Sequence, residues 1–259
     1  MKISIITPSF NQGQFIEANI KSVKNQNYQN LEHIIYDNVS QDNTKKILKR
    51  YKHLKLSIKK DKGQSHALNK MLEVVTGDII GWQNADDFYS NNIFHNIVKI
   101  FNNNPNVDVI YGNFNIVDHN ENVLKTVNSL KFYPSLAPFL CFIPSTTFFC
   151  RTAFIKKNKL FFNEKFNFMM DKEFFCRVIN KTKKIHKLDK VISNFRYHKK
   201  SKTAFKINKI SKKNFYYEGI QIINSFTFLT IKKNFIGIII YKFLINFFTL
   251  ISFLIKKID

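Results

Sequence analysis

Four short apolar stretches, at residues 3–7, 33–36, 54–58 and 78–82, each run straight into a polar cluster, and the first three clusters lead on into helical periodicity. The first stretch, ISIIT, is followed by Pro8, Ser9, Phe10 and Asn11 and then by apolar residues at Ile16, Ile20 and Val23. The second ends at Asp37, after which Ser40 is a candidate N-cap for a helix carrying Ile47, Leu48 and Tyr51 on one face. The third leads to Asp61, Lys62 and Gly63, and then to a helix with Ser65 as candidate cap and Leu68, Met71, Leu72 and Val75 at i, i+3, i+4, i+7. The fourth closes on Asn84, Ala85, Asp86 and Asp87. Strands that alternate with helix-length connections predict an α/β fold with a mostly parallel sheet covered on both faces, because a parallel crossover needs a connection of that length. In open sheets of this kind ligands bind beyond the carboxyl ends of the strands, so all four polar clusters are expected on one rim.

Further along, periodicity predicts a helix over 93–101, a strand over 107–111 and, after a less regular stretch to residue 150, a helix from Asp171 with Phe174, Phe175 and Val178 inward. No internal repeat is found. The stretch 199–213 is dense in Lys and poor in acid, and reads as the boundary between a domain over 1–205 and a basic, apolar helical tail over 206–259.

Bulk composition narrows the class. A chain of 259 residues, 44% hydrophobic and 15% aromatic, can bury the core of one large domain with an appendage. Cys141, Cys150 and Cys176 are odd in number and lack motif spacing, so neither a disulfide framework nor a zinc site is suggested, and a reducing compartment fits best. The N-terminal apolar run is too short for a signal peptide, so export is not expected. A formal charge of +23 would draw the chain toward nucleic acid, an anionic membrane or phosphate-bearing substrates. Compositional drift toward Lys, Asn, Ile and Phe explains the lysines equally well.

Asp86 and Asp87 are the sharpest chemical feature. Adjacent carboxylates at a strand end repel one another unless a cation intervenes, and a hard divalent ion such as Mg²⁺ or Mn²⁺ prefers oxygen ligands and leaves positions open for phosphate oxygens. A solvated turn or a helix cap is the alternative reading of the pair.

The ordered series ITPSFNQGQFI, YDNVSQDNT, DKGQSHALNKML, TGDIIGWQNADDFY, FNFMMDKEFFCRV and FRYHKKSKT resembles the pattern of glycosyltransferase family 2, over roughly residues 1 to 203. An ordered set is far more specific than any one motif. The resemblance implies a GT-A fold, a nucleotide-diphosphate sugar donor, probed first as a UDP-sugar, a divalent metal (Mn²⁺ or Mg²⁺) and inversion at the anomeric carbon. It implies that Pro8, Ser9 and Asp37 line the base and ribose pocket and that Gly63, Gln64 and Asn69 lie beside nucleotide and sugar. It places Asn84 and Asp86 at the two positions of the D-x-D motif, with Asp86 on the metal and Asp87 supporting metal or sugar. Asp171 matches the catalytic base, which would take the acceptor hydroxyl's proton, and a helix dipole behind it would favour its ionised form. His198 would touch the metal or diphosphate. Lys199, Lys200 and Lys202 would add positive charge beside the leaving diphosphate. Three residues depart from the family pattern. Asn84 replaces a carboxylate and is a poorer metal ligand. Val39 replaces a common Gly and, being β-branched, resists positive φ, which predicts a different path for its loop. Met170 replaces the acidic residue before the base, which makes Glu173 a rival for that role.

Residues 235–255 are nearly all apolar and long enough to cross a bilayer, yet Lys242, Asn246, Thr249, Ser252 and Lys256 recur at helical spacing. That stripe favours a helix lying in the membrane interface, with Lys232, Lys233, Lys256 and Lys257 meeting anionic headgroups. Packing on the catalytic domain or on the second copy of a homodimer is the alternative. The sequence thus predicts a cytoplasmic enzyme, peripheral at the inner face of the plasma membrane, acting on a saccharide or lipid-linked acceptor. Two competing readings remain: a nucleic-acid or anionic-membrane binder using the charge and 28 Phe, and a sugar nucleotidyltransferase. No nucleic-acid motif accompanies the lysines, and only Gly13 lies where a phosphate loop would be needed.

Overall fold

The computed structural model describes residues 1–140, 142–198 and 209–258, the side chains of 209–211 and 253–258 excepted. Cys141, the proposed boundary at 205/206, and the side chains of Lys199, Lys200, Lys202, Lys256 and Lys257 lie outside the described residues. The four apolar stretches are β1 (Ile3–Ser9), β2 (Leu31–Asp37), β3 (Leu54–Ile58) and β4 (Ile79–Trp82), connected by α1 (Ile16–Lys24), α2 (Thr44–Leu48) and α3 (Gln64–Val74). Then come β5 (Phe88–Tyr89), α4 (Ile93–Asn103), β6 (Val109–Val117), β7 (Val123–Val127), β8 (Phe149–Arg151), α5 (Thr152–Lys157), α6 (Met170–Lys181), β9 (Ile185–Arg196), α7 (Lys209–Phe226) and α8 (Phe235–Ile258).

One sheet runs in the order β3-β2-β1-β4-β8-β6-β9-β5, with β7 paired to β6. β1 is parallel to β2 and β4, β2 to β3, and β6 to β9. β8 is antiparallel to both β4 and β6, and β5 and β7 are likewise antiparallel to their partners. Alternation along the strands splits the core in two. Ile3, Ile5, Ile79 and Ile110 face α4, while Ile6, Ile80, Trp82, Val109 and Tyr111 face α3 and α6. Burying one such side chain stabilises by roughly 1.5–3 kcal/mol.

Several local expectations are corrected. Ser40 and Ser65 do not cap helices: Ser40 donates its hydroxyl to Asp37 Oδ2 at 2.6 Å, and Ser65 lies inside α3 with its hydroxyl aimed at Phe166 O and Met170 Sδ. Gly63, at φ 122°, opens α3 instead, a conformation that needs no Cβ. α2 is only five residues long, and Tyr51 falls beyond it. The loop at Val39 keeps a left-handed path, φ 51°, despite the β-branched side chain. Asp37 enforces it by accepting Ser40 N–H at 2.8 Å as well as the Ser40 hydroxyl, offsetting a strain of about 1–3 kcal/mol.

α7 and α8 pack on the cluster shared by α3 and α6, contributing Ile220, Ile222, Ile223 and Tyr241. A Cβ on Gly219 would sit 2.4 Å from the Tyr241 ring, so the two helices cross closely at that glycine. Phe248 stacks on Phe139 at 4.0 Å. The opposite side of α8 leaves Phe235, Ile236, Ile239, Ile240, Phe243, Phe247 and Leu250 exposed. The expected polar stripe is partly spent within the helix: Thr249 donates to Ile245 O, and Ser252, buried, donates to Thr249 O.

At the amino ends of the strands, buried Glu32 accepts hydrogen bonds from Ser4, Thr76 and Lys55 and pairs with Lys2 at 3.1 Å. Burial pushes its carboxyl up, but the donors Lys55, Ser4 and Thr76 outweigh this and hold it well below the usual range. A depressed folded value gives stability that is present above the unfolded value of about 4.3 and is lost as pH falls through the folded one. Glu32→Gln is therefore expected to cost roughly 2 kcal/mol in urea melts at pH 7, and the difference from wild type should shrink as the pH is taken below about 4. A pH-independent difference would contradict this.

Candidate active site

The carboxyl ends of β1 to β4 open on a cleft of about 450 Å³. β1 delivers Pro8, Ser9 and Phe10, the turn after β2 delivers Asn38, the turn after β3 delivers Asp61 and Gly63, and the end of β4 delivers Asn84 and Asp86, while Gln64 comes from the start of α3. Asn167 and Phe195 close the far wall. Of the residues predicted from sequence, Pro8, Ser9, Gly63, Gln64, Asn84 and Asp86 line this cleft.

Asp37, Asn69 and Asp87 stand behind it. Asp37 is fully buried and accepts from the Ser9 hydroxyl at 2.9 Å in addition to its two bonds from Ser40, so its carboxylate braces the β1 and β2 ends. Asn69 holds Phe162 through both its N–H and C=O, at 2.7 and 2.9 Å, and fastens the segment before α6 to α3. Asn84 Oδ1 accepts from Gln64 and from the Trp82 indole at 2.9 and 3.1 Å, and its amide donates to Asp87 at 3.2 Å. With both oxygen lone pairs taken, Asn84 orients the loop rather than offering an acceptor to a ligand.

Asp86 is 19% and His198 9% exposed at the side chain, and His198 Nε2 lies 3.0 Å from Asp86 Oδ2. The imidazole also leans on Phe15, with ring centroids 4.6 Å apart. Asp87 points the other way. Burial and the Asp86 charge push its carboxyl well up, against the pull of the Arg196 N–H, Asn84 and the Arg196 guanidinium. That guanidinium is almost sealed from solvent: it donates to Asp86 O at 3.0 Å and His119 O at 3.0 Å, pairs with Glu121 at 3.0 Å, and lies between the rings of Phe15 and Phe88. Asp86 and His198 thus bring a hard oxygen and an imidazole nitrogen within 3.0 Å of one another. Among the described residues no group of three His, Cys, Asp or Glu side chains converges, so a divalent ion here would have few protein ligands and keep positions for diphosphate oxygens.

Asp171 sits in the first turn of α6, half-buried, accepting Lys172 N–H at 2.7 Å. α6 is tied to the cleft because Met170 Sδ is 3.4 Å from Ser65 Oγ, next to Gln64. Glu173, the rival for that role, is buried and held by Arg177 at 2.8 Å through both oxygens. Sequence reasoning did not single out Asp61 or Asn167. Burial raises the Asp61 carboxyl against the pull of the Gly63 N–H at 2.7 Å. Its position at a strand end was the available signal, whereas Asn167 is brought in by tertiary packing alone.

This sheet, with strand ends that open on a polar cleft, is shared with the GT-A glycosyltransferase structures on which the chain superposes. The family profile described as Glycosyl transferase family 2 matches residues 4–178, and the chain belongs to that family. Among curated relatives, UDP-Glc:alpha-D-GlcNAc-diphosphoundecaprenol beta-1,3-glucosyltransferase WfgD of Escherichia coli is 31% identical over 128 residues, 48% of this chain and 50% of that protein. The putative teichuronic acid biosynthesis glycosyltransferase TuaG of Bacillus subtilis is 33% identical over 33% of this chain and 36% of its own length. The chain spans only 24% to 50% of the first curated relatives' lengths. Among solved structures, S. aureus TarS 1-349 in complex with UDP-GlcNAc superposes with a TM-score of 0.70 at 20% identity, covering 87% of this chain and 66% of that one. The mannosyltransferase PcManGT of Pyrobaculum calidifontis, in complex with GDP-Man and Mn²⁺, gives a TM-score of 0.62 at 17% identity, covering 86% and 63%.

Arg196→Ala leaves Glu121 and the carbonyls around it without their donor. It is expected to destabilise the fold by about 3–5 kcal/mol in denaturant melts, with Arg196→Lys recovering less than half of the loss. A change below about 1 kcal/mol would show that Arg196 does not hold the site together.

Proposed function

We propose that this chain transfers a sugar from a nucleotide-diphosphate donor, of the UDP-sugar class, to a hydroxyl of a saccharide or lipid-linked acceptor, with inversion at the anomeric carbon, in cell-surface polysaccharide or glycolipid synthesis. The observation that carries it is the Asp86–His198 contact of 3.0 Å at a cleft supplied by four successive strand ends. The half-exposed ring of Phe10 and the side chain of Asn38 suit a nucleobase and ribose, and Asp61, Gly63 and Gln64 line the course of the diphosphate and sugar. Asp86 and His198 would hold a divalent ion, Mn²⁺ or Mg²⁺. When bound, that ion offsets the charge that builds on the departing diphosphate. Asp171, which does not line the cleft itself but sits in the first turn of α6 next to Met170 and its contact with Ser65, takes the proton from the acceptor hydroxyl as its oxygen attacks. The donors named for WfgD and TarS, UDP-Glc and UDP-GlcNAc, support the choice of nucleotide.

The outward face of α8 supports attachment to a membrane, as expected if the acceptor is carried on a lipid at the cytoplasmic leaflet. Residues 235–252 have a mean hydropathy of 2.0 and are 17% buried. One face of the helix is taken by the protein and the other by exposed Ile and Phe, which suits shallow insertion with Lys232 and Lys233 at the headgroups. A sugar nucleotidyltransferase is disfavoured by Gly13, whose N–H is occupied by Asp42 at 2.9 Å and whose Cβ position is filled by Asn43. A nucleic-acid role is disfavoured by the carboxylates of Asp61 and Asp86 in the cleft.

Calorimetric titration with UDP-glucose and UDP-N-acetylglucosamine is expected to show binding that requires Mn²⁺ or Mg²⁺ and weakens at least tenfold in Asp86→Ala. Metal-independent binding, or binding unchanged in the variant, would overturn the donor-site reading. For the membrane face, replacing Ile236, Ile240, Phe243 and Phe247 together by Ser should abolish co-sedimentation with anionic vesicles while leaving donor binding within about twofold. Retained co-sedimentation would remove α8 as the attachment surface.

A further inference from the structure

Beside their apolar packing, the tail helices hydrogen-bond to the loop 167–169 that precedes α6. Glu218 of α7 accepts all three consecutive backbone N–H groups there, from Asn167 at 3.0 Å on one oxygen and from Phe168 and Met169 at 2.9 and 2.8 Å on the other. Met169 is the residue from which α6 starts, its carbonyl accepting from Glu173 N–H at 2.9 Å. From α8, the Tyr241 hydroxyl reaches Met169 Sδ at 3.9 Å. Gly219, directly after Glu218, is where the Tyr241 ring packs against α7, so the two helices meet the loop as one unit. The loop itself serves both halves of the site, since Asn167 lines the donor cleft and Asp171 lies two residues beyond Met169.

We infer that Glu218 is a positioning residue for the transfer reaction, a carboxylate in the tail that fixes the start of α6 and so the placement of Asp171. This rests on the reading of Asp171 as base. Hydrogen bonds to a charged acceptor are among the strong ones, and three on consecutive amides fix the direction of the chain entering the helix. The tail therefore contributes to turnover as well as to attachment, because a small displacement of the base costs rate steeply while leaving the donor pocket formed. A Gln at 218 has one acceptor oxygen, which keeps the Phe168 and Met169 bonds and gives up that of Asn167.

The test compares full-length wild type, Glu218→Ala, Glu218→Gln and Asp171→Asn. The readouts are release of UDP from UDP-N-acetylglucosamine with Mn²⁺, and amide hydrogen exchange over 167–169. Expected are a kcat about tenfold lower in Glu218→Ala with KM within threefold, an intermediate kcat in Glu218→Gln, and faster exchange at 167–169 while β1 to β4 keep wild-type protection. Unchanged kcat in a folded Glu218→Ala, or exchange at 167–169 equal to wild type, would overturn the assignment. Exchange decides whether Glu218 orders the loop, and kcat decides its role in turnover, read with UDP-glucose where the wild type does not turn over UDP-N-acetylglucosamine. Asp171→Asn separates the two ideas: if it releases UDP as fast as wild type, the base reading fails, whereas the order of the loop is judged independently by exchange.

Discussion

The guanidinium of Arg196 is 1% exposed, and the end of the cleft that carries Asp86 depends on it. Two neighbouring carboxylates stand in the turn between β4 and β5, and left to themselves they would repel one another and swing apart in whatever way relieved the strain. Arg196 fixes how they part. Its backbone N–H takes Asp87 inward at 2.9 Å, its side chain holds the carbonyl of Asp86 at 3.0 Å, and two residues further on His198 meets the Asp86 carboxylate. The same side chain reaches His119 and Glu121 in the hairpin between β6 and β7, so three segments far apart in sequence converge on one cation. A buried charge is tolerated only when its donors are satisfied, and here carbonyls, a carboxylate and two aromatic faces provide that.

From that anchor the division of labour in the cleft follows. Residues that face the ligand are few, and most polar side chains around them are committed to the protein. Asp37 folds the turn that carries Asn38, Asn84 joins α3 to the end of β4, and Asn69 secures the segment leading to α6. Asp86, paired with His198, and Asp61 are the ionisable side chains that this leaves at the cleft. A diphosphate with a divalent ion brings both signs of charge, matching a site that mixes carboxylates with an imidazole in a strongly basic chain.

Much of this was legible in the sequence because the parallel half of the sheet is written in local periodicity. The apolar runs, their polar ends and the helix of Leu68 and Met71 recur with register that survives folding almost unchanged. The second half was not legible. β5 has two residues and β8 has three, too few to show any period, and β8 pairs with β4 and β6, which lie far from it in sequence. Roles within the site were harder to read than membership. Asp37, Asn69 and Asn84 are near the cleft as expected, but whether a polar side chain faces a ligand or a neighbour is decided by its hydrogen-bond partners, and those are tertiary. Val39 shows the same point for the backbone: its own preference is against positive φ, and two bonds from Asp37 override it.

In the proposed site Asp86 and His198 together hold a divalent ion against a nucleoside diphosphate. Diffraction from crystals soaked with UDP and Mn²⁺, with data collected at the manganese absorption edge, tests this arrangement. The expected result is a single anomalous peak between Asp86 Oδ2 and His198 Nε2, within coordination distance of both and of the diphosphate oxygens. UDP bound with the peak elsewhere, or with Asp86 and His198 still paired to each other and no manganese beside them, would contradict it.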